Sequence, residues 1–275
     1  MGGIMTKHIL VCADDYGQTL PISQAIIALL KEKRLSAVSC MVTCEHWPEH
    51  AALLKPFMDE VDIGLHFNLT HGTALSSQYQ SQYGERFNPL GSLLVKSQLR
   101  LIKKVPIADE FRAQWQRFTQ YLGRTPNFVD GHQHVHQFPI VRDALVDSLL
   151  QQAASNVFVR IVNPRGWSMK KAIIKLSGTF GLQRLLKKHQ IPVTTSFTGI
   201  YSFKDATQYR QYAQNFLREI KDFGLMMCHP GLEDPNECFP MSQSRPLEYI
   251  YLASQAFLDD LKAAKASITR FNYSP

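Results

Sequence analysis

The sequence has no apolar run that approaches the roughly 20 residues of a membrane-spanning helix. Its first residues, MGGIMTKHILV, lack an apolar stretch bounded by a cleavage site, so we expect no signal peptide. The motifs GxSxG, HExxH, the P-loop and a GxGxxG after a strand are also missing. Their absence argues against serine hydrolases, zincins, P-loop NTPases and Rossmann dehydrogenases.

Cysteine is scarce and odd in number, with five in 275 residues. Four of the five lie in or beside apolar runs: Cys12, Cys40, Cys44 and Cys228. Disulfide scaffolds use even, closely spaced sets in short secreted chains, so we expect buried free thiols and a cytoplasmic protein. A structural zinc site from Cys40, Cys44, His46 and His50 is the alternative, but its spacing is irregular.

Charge is unbalanced, with 30 Lys and Arg against 23 Asp and Glu, which gives a net charge of +7. Hydrophobic residues make up 45% of the chain, a globular composition that excludes disorder as its main state. A basic protein can bind an anionic membrane or a nucleic acid. The basic residues are scattered and no helix-turn-helix or RNP signature is present, so we expect no nucleic-acid partner.

Short apolar runs alternate with segments of helical spacing. Strands are predicted over His8–Ala13, Ala37–Val42, Asp62–Leu69, Phe128–Val135, Val157–Val162, Thr195–Thr198 and Gly224–Cys228, and helices over Ile22–Lys33, Glu110–Leu122 and from His50. Repeated strand–helix units are typical of parallel strands with helical crossovers, which predicts one α/β domain over residues 1–275. The long mixed segment 71–107 is interpreted as an insertion over one mouth of the sheet.

Polar side chains lie at the ends of most predicted strands: Asp14, Asp15, His66, His132, Arg160 and His229. In a parallel barrel all strands end on one face, so we expect these side chains to converge. A lone histidine after a strand is more often a packing residue, but the joint pattern is hard to obtain from structural residues alone.

Two imidazoles and one carboxylate, from His66, His132 and Asp15, form a set that leaves coordination positions open for water and substrate. The adjacent carboxylates of Asp14 and Asp15 repel each other unless a cation holds one of them, although helix capping could explain one. A metal on Asp15 would leave Asp14 free as a base. Histidine ligands favour zinc, whereas magnesium prefers oxygen, so the identity of the single divalent ion stays open.

The segment VDGHQHVHQ places Asp130, His132, His134 and His136 at period two, on one face of a strand. Four such groups are too many for one metal. We expect His132 to be the ligand, Asp130 to orient an imidazole, and His134 and His136 to pack or contact substrate.

The motifs ADDYG, GLHFNLT, VDGHQHVH and HPGLED, in this order from residue 13 to residue 234, resemble those of the YdjC-like carbohydrate deacetylases. That group includes chitooligosaccharide deacetylases and deacetylase-like proteins of hopanoid biosynthesis. The resemblance implies a distorted TIM-like barrel, a divalent metal for which magnesium is often assumed, and removal of acetyl groups from N-acetylated sugars or glycolipid head groups. It further implies Asp15, His66 and His132 as metal ligands, Asp14 as catalytic base and His229 as general acid.

Other classes remain open, namely a phosphoesterase on the same scaffold or a basic protein that binds membrane or nucleic acid. Two-metal phosphoryl transfer usually needs more carboxylates than this cluster offers. Arg160 is expected to pair with Asp14, to contact sugar, or to form a surface salt bridge. Tyr16, Trp47 and Phe67 are predicted either to stack on a sugar ring or to belong to the core.

The segment 169–190 is basic and contains Lys170, Lys171, Lys175, Arg184, Lys187 and Lys188. In a helix, Ile173, Leu176 and Phe180 would form one apolar stripe, although Gly178 and Gly181 predict a break. Packing of this stripe on the barrel is the simpler expectation, and a peripheral membrane contact is the alternative. A homodimer is a further expectation.

Overall fold

The computed structural model describes residues 6–152, 154, 156–164, 169–235 and 241–271. Its strands are β1 (Lys7–Tyr16), β2 (Ala37–Cys40), β3 (Asp62–Phe67), β4 (Phe128–Gly131), β5 (Phe158–Val159), β6 (Phe197–Thr198), β7 (Gly224–Cys228) and β8 (Ala266–Ile268). Its helices are α1 (Leu20–Lys31), α2 (Trp47–Leu54), α3 (Ser77–Tyr83), α4 (Leu90–Gln98), α5 (Lys104–Leu122), α6 (Val141–Gln151), α7 (Met169–Ile174), α8 (Phe180–Lys188), α9 (Tyr209–Glu219), α10 (Ser244–Ala253) and α11 (Gln255–Ala263).

The strands pair in parallel in the order β5-β4-β3-β2-β1-β7-β6, and β8 pairs with the first residues of β1. Two isolated parallel bridges, Val159–Val193 and Pro164–Phe197, join the two edges of this sheet. The sheet therefore curves into an irregular barrel with helices outside it. The predicted α/β fold, a distorted TIM-like barrel, is confirmed.

Local sequence signals position the helices that cover the barrel. The Thr19 hydroxyl accepts a hydrogen bond from the Ile22 backbone N–H and caps α1, with proline in the first turn. The same helix turns Ile22, Ile26 and Leu29 onto the sheet at helical spacing. Helix α5 ends at Gly123, whose φ of 74° is a left-handed conformation that glycine adopts without strain.

The segment after β4 departs from the prediction. The chain leaves the sheet at Gly131, and His132–Gln137 forms a tight turn in which Gln133 and His134 have φ of 53° and 63°. The predicted strand to Val135, with its histidines on one face, is therefore wrong, because a left-handed turn breaks the alternation of a strand. The three-residue strand β8, half-buried throughout, was not predicted.

A break divides α7 from α8, as the glycines predicted. Residues Lys175–Thr179 form a π-type turn, and Gly178 has φ of 150°. A Cβ at Gly178 would lie 1.8 Å from the carbonyl oxygen of Gln137, so only glycine fits there. Ile173, Leu176 and Phe180 are 50%, 79% and 64% exposed. The prediction that this stripe packs on the barrel is wrong, because the turn rotates it toward solvent.

Candidate metal centre

Three strands deliver the predicted ligand set to one place. Asp15 lies at the end of β1, His66 near the end of β3 and His132 directly after β4. One ligand atom from each side chain lies within 4.8 Å of the others, and all three residues are buried. The geometry brings together the two imidazoles and one carboxylate that the sequence singled out.

A bulge in β1 turns the Asp15 side chain into the site. The pairing register between β1 and β2 shifts between Ala13 and Tyr16, and Asp15 has a φ of 64°. Such bulges redirect side chains, and aspartate tolerates the left-handed region better than most residues do. The Asp15 Oδ1 atom then lies 2.9 Å from His132 Nδ1 and 3.4 Å from His66 Nε2.

The second oxygen of Asp15 is held by an arginine from α10. Arg245 Nη2 donates to Asp15 Oδ2 at 2.7 Å. Burial opposes the charge on this carboxylate, but His132 and Arg245 outweigh it and hold the pKa of Asp15 well below its usual range. Asp15 therefore presents an ionised oxygen to the two imidazoles at neutral pH.

His66 is oriented from behind by a buried pair. Its Nδ1 lies 2.6 Å from Asp130 Oδ1 and 2.9 Å from the Ser39 hydroxyl, which also donates to Asp130. A carboxylate on Nδ1 fixes the imidazole so that Nε2 is the ligand atom, which is how proteins usually support a metal-bound histidine. Asp130 thus makes the contact with an imidazole that the sequence predicted.

Asp14 is engaged by Arg160 rather than by the ligand set. Arg160 Nη1 and Nη2 each donate to one oxygen of Asp14 at 2.7 Å, a bidentate pair. Arg160 Nη2 also lies 2.6 Å from Asp130 Oδ2, and the arginine is fully buried. The interpretations of Arg160 as a surface salt bridge or a sugar contact are wrong, because no part of its side chain reaches solvent.

The guanidinium of Arg160 lies among a second group of atoms that could bind a metal. Cys12, Asp14 and Asp130 each offer an atom within 4.8 Å of the others. Arg160 lies among them, with Nη2 3.0 Å from the Cys12 sulfur. A fixed positive charge already occupies the position that a second metal would need.

His229, directly after β7, faces the site from the other side. Its backbone N–H donates to Glu248 at 2.6 Å, and Glu248 also accepts from the Tyr201 hydroxyl. Burial lowers the pKa of His229 to about 4 and raises the pKa of Glu248 to about 7. The His229 imidazole is therefore neutral at pH 7 in the resting protein and holds no proton ready for donation.

The two later histidines of the motif, His134 and His136, lie in different surroundings. His134 lines the cavity at the site and packs edge-on against Phe197. His136 is fully buried, and its Nε2 donates to the carbonyl oxygen of Arg160 at 2.9 Å. His136 is therefore a packing residue beneath Arg160, and the expectation that it contacts substrate is not supported by its position.

The ligand set lines one of two cavities in the described part of the chain. One has a volume of about 650 Å³ and is lined by Asp14, Asp15, His66, His132 and His229 together with Leu90, Ile173, Ile174, Ile200, Phe203, Met227 and Met241. The other, of about 620 Å³, is lined by residues that include Gln18, Thr43, Glu45, His46 and Arg86.

The aromatic candidates for sugar stacking lie in the core. Tyr16, Trp47 and Phe67 are fully buried. Trp47 stacks on Phe118, and Phe67 packs edge-on against Phe111. The core interpretation of these three residues is the correct one.

The alternative zinc site is not assembled in the described part of the chain. Cys40, Cys44, His46 and His50 do not come together as a ligand group there. Cys12, Cys40 and Cys228 are buried free thiols, and Cys44 is a half-buried one. The prediction of free thiols is confirmed for these four.

The chemistry of the donor set fits one divalent cation, and its binding should depend on pH. Burial disfavours a charged imidazole, but Asp130 and Asp14 outweigh this and raise the pKa of His66 to about 10. Below that pH a cation must displace a proton from His66, so its affinity should fall about tenfold for each unit that pH falls between 8 and 6. Calorimetric titration with Zn²⁺ at several pH values measures this slope.

A matched variant tests the origin of the slope. Asp130→Asn removes the carboxylate that most raises the pKa of His66, so the proton should be displaced more easily and the slope should be smaller. A wild-type affinity that does not change with pH would contradict His66 as a ligand.

Three residues of the site escaped the sequence analysis: Ser39, Arg245 and Glu248. Ser39 lies inside β2, and the two others are three residues apart on α10, on one helix face. The spacing of Arg245 and Glu248 indicates that these two share a helix face, and nothing comparable in the sequence indicates Ser39.

Comparisons with known proteins identify the family of this chain. The sequence model of the family described as YdjC-like protein matches residues 8–263. A chitooligosaccharide deacetylase of Yersinia enterocolitica is 33% identical over 138 residues, which is 49% of this chain and 53% of that protein. The chain thus matches about half the length of such curated relatives.

Solved structures share the fold. An Enterococcus faecalis V583 protein, for which cellobiose-phosphate cleavage has been proposed, superposes with a TM-score of 0.73 at 17% identity, covering 97% of this chain and 98% of that one. The Bc1960 peptidoglycan N-acetylglucosamine deacetylase superposes with a TM-score of 0.54 at 11% identity, covering 96% and 85%. At these identities the likeness concerns the barrel alone.

Proposed function

Because the chain belongs to the YdjC-like protein family, we propose that it removes acetyl groups from N-acetylated sugars by metal-dependent amide hydrolysis. The observation that carries the proposal is the meeting of Asp15, His66 and His132 within 4.8 Å, in a cavity that Asp14 also lines. Deacetylases of carbohydrates are among the relatives by sequence. This chain's substrate is therefore proposed to be an amino sugar that carries an N-acetyl group.

The metal would be held by Asp15 and by one nitrogen each of His66 and His132. A divalent cation there supplies Lewis acidity to a water molecule and to the acetyl carbonyl. Arg245 keeps Asp15 ionised, and Asp130 with Ser39 keeps His66 in one orientation. These partners prepare the site before substrate arrives.

Asp14 acts as the base in this proposal. It lines the cavity beside the ligand set, and the bidentate contact with Arg160 fixes the position of its carboxylate. A carboxylate oxygen fixed in this way beside the cavity can accept a proton from water. Arg160 is thus a positioning residue, since it is buried behind Asp14.

His229 is proposed to pass a proton to the departing amine. It lines the same cavity as Asp14 and packs edge-on against Phe203. Because its low pKa makes the resting imidazole neutral, His229 must take up a proton during turnover before it donates one.

A phosphoesterase with two metals is less well supported. The second group of ligand-type atoms surrounds Arg160, whose charge would repel a second cation. One metal and one base suit acyl transfer to water, whereas two-metal phosphoryl transfer uses a pair of cations about 3.5–4 Å apart.

An assay of metal-depleted protein tests the proposed function. Acetate release from N-acetylglucosamine oligomers should be near background without metal and should rise at least about a hundredfold when the correct divalent ion is returned. Separate additions of Mg²⁺ and Zn²⁺ identify the ion. Hydrolysis of phosphate monoesters without acetate release from any N-acetylated sugar would contradict the proposal and favour the phosphoesterase.

A further inference from the structure

Exposed apolar side chains are concentrated in two segments at the mouth of the larger cavity. In the described residues, large hydrophobic side chains are exposed at Val95, Leu99, Leu101, Val105, Ile173, Leu176 and Phe180, with exposures from 50% to 79%, and at six scattered positions elsewhere. We call segments 90–105 and 169–190 together the mouth surface. Contiguous exposed apolar groups of this kind usually mark a binding surface.

The two segments lie side by side. The Gln98 side chain donates to the carbonyl oxygen of Ser177 at 2.8 Å. Leu90 and Ile173, one from each segment, both line the cavity that contains the ligand set. The mouth surface is therefore continuous with the walls of that cavity.

Within α4, the exposed residues form a stripe opposite the buried one. Leu93 and Ser97 face inward four residues apart, and Val95 and Leu99 face outward with the same spacing. An outward apolar stripe has no role in packing the barrel. It costs solvation free energy unless something covers it.

Helix α8 combines an apolar end with a basic face. Leu182 and Leu186 are buried against the barrel, whereas Phe180 and Arg184 are exposed four residues apart on the other face. Lys187 and Lys188 are exposed in its last turn. Phe180 and these cations therefore share the exposed face of α8.

The charge of the mouth surface has one sign. Segments 90–105 and 169–190 contain ten of the 30 Lys and Arg of the chain and none of its 23 Asp and Glu. Without these ten cations, the formal net charge of +7 would be −3. Among the eight of these cations whose side chains the structure describes, Lys104 is the one paired with a described carboxylate, that of Asp147.

We propose that the mouth surface is a docking site for an anionic membrane. Exposed apolar side chains beside cations complement acyl chains beneath negative head groups, and each cation near such a leaflet adds attraction. A symmetric dimer through this surface would place cations against cations, so charge complementarity favours lipid over a second copy of the chain. No helix in the described part of the chain could cross a bilayer, so the contact is peripheral.

Co-sedimentation with vesicles tests the proposal and needs neither metal nor turnover. Vesicles of phosphatidylcholine with phosphatidylglycerol should bind the protein at low salt, and high salt or pure phosphatidylcholine should weaken binding several-fold. The double variant Leu176→Glu/Phe180→Glu should lower binding at least tenfold, because two insertable side chains are lost. Both residues are exposed, so folding is expected to be unaffected.

The matched control is Ile250→Glu/Leu258→Glu, which makes the same change at exposed positions on α10 and α11. It should bind as the wild type does. A positive readout comes from Phe180→Trp, whose fluorescence should shift to the blue with anionic vesicles. No sedimentation at low salt, equal loss in the control, or a dimer dissociated by Leu176→Glu/Phe180→Glu without vesicle binding would each overturn the proposal.

Discussion

Replacing Asp14 with asparagine should lower kcat by about 10²–10⁴-fold while bound metal stays at its wild-type level. The amide keeps the size of the carboxylate but cannot accept a proton from water. Asp14 makes its contacts with Arg160 and is not one of the three clustered ligands, so the metal does not depend on it directly. Acetate release under saturating substrate, with metal content measured on the same sample, gives both quantities.

Asp62→Asn is the matched control for this variant. Asp62 is also buried and paired with an arginine, Arg270, but it lies at the opposite end of β3 from His66. Both variants lose a buried carboxylate that is paired with an arginine, although Arg270 is 40% exposed, and only Asp14→Asn should lose turnover. A kcat for Asp14→Asn within tenfold of the wild type would show that another group is the base.

His66→Ala should abolish metal binding and acetate release together. His66 supplies one of two imidazoles, and a cation left with His132 and Asp15 alone has lost a third of its protein ligands. We expect the affinity to fall by more than the 10–100-fold that loss of an orienting partner typically costs. Metal content after dialysis, measured beside acetate release, decides the assignment.

Two further variants provide reference values for the loss of metal affinity in His66→Ala. Asp130→Asn leaves His66 in place but removes its orienting carboxylate, so the metal affinity, once corrected for the proton that competes at His66, should fall by about 10–100-fold. His50→Ala removes a buried histidine outside the ligand set and should bind metal normally. Full metal occupancy in His66→Ala, or a loss in His50→Ala as large as that in His66→Ala, would rule out the proposed ligand set.

The convergence of the site was predictable because it follows from topology. Asp15, His66, His132, Arg160 and His229 belong to five different strand ends, and parallel strands end at one face. Only approximate strand positions are needed for this argument. Errors of several residues in the predicted strands, such as the early end of β4 at Gly131, did not affect it.

The supporting residues were not predictable in the same way. Arg245 and Glu248 reach the site from α10, and the approach of a helix to a barrel mouth depends on packing rather than on any local pattern. The positions of His134 and His136 depend on two residues of left-handed conformation, Gln133 and His134, in the turn after β4. Neither residue is a glycine, so nothing in the sequence signals the turn.

The prediction that the apolar stripe in 169–190 packs on the barrel was wrong for a related reason. Its spacing fits a face packed on the barrel, yet Leu176 is 79% exposed. Periodicity shows that residues share a face but not which way that face points. Gly178 sets this direction, because its conformation rotates the helices on either side of it.

The contacts around Asp15 and Asp14 join distant parts of the chain, with consequences for synthesis on the ribosome. Arg245 is 230 residues from Asp15, and Arg160 is 146 residues from Asp14. A nascent chain therefore carries two adjacent, unpaired carboxylates until most of the barrel has been made. Because contacts of such separation form late in folding, we expect the pairing of Asp15 with Arg245 to be completed only after α10 has left the exit tunnel.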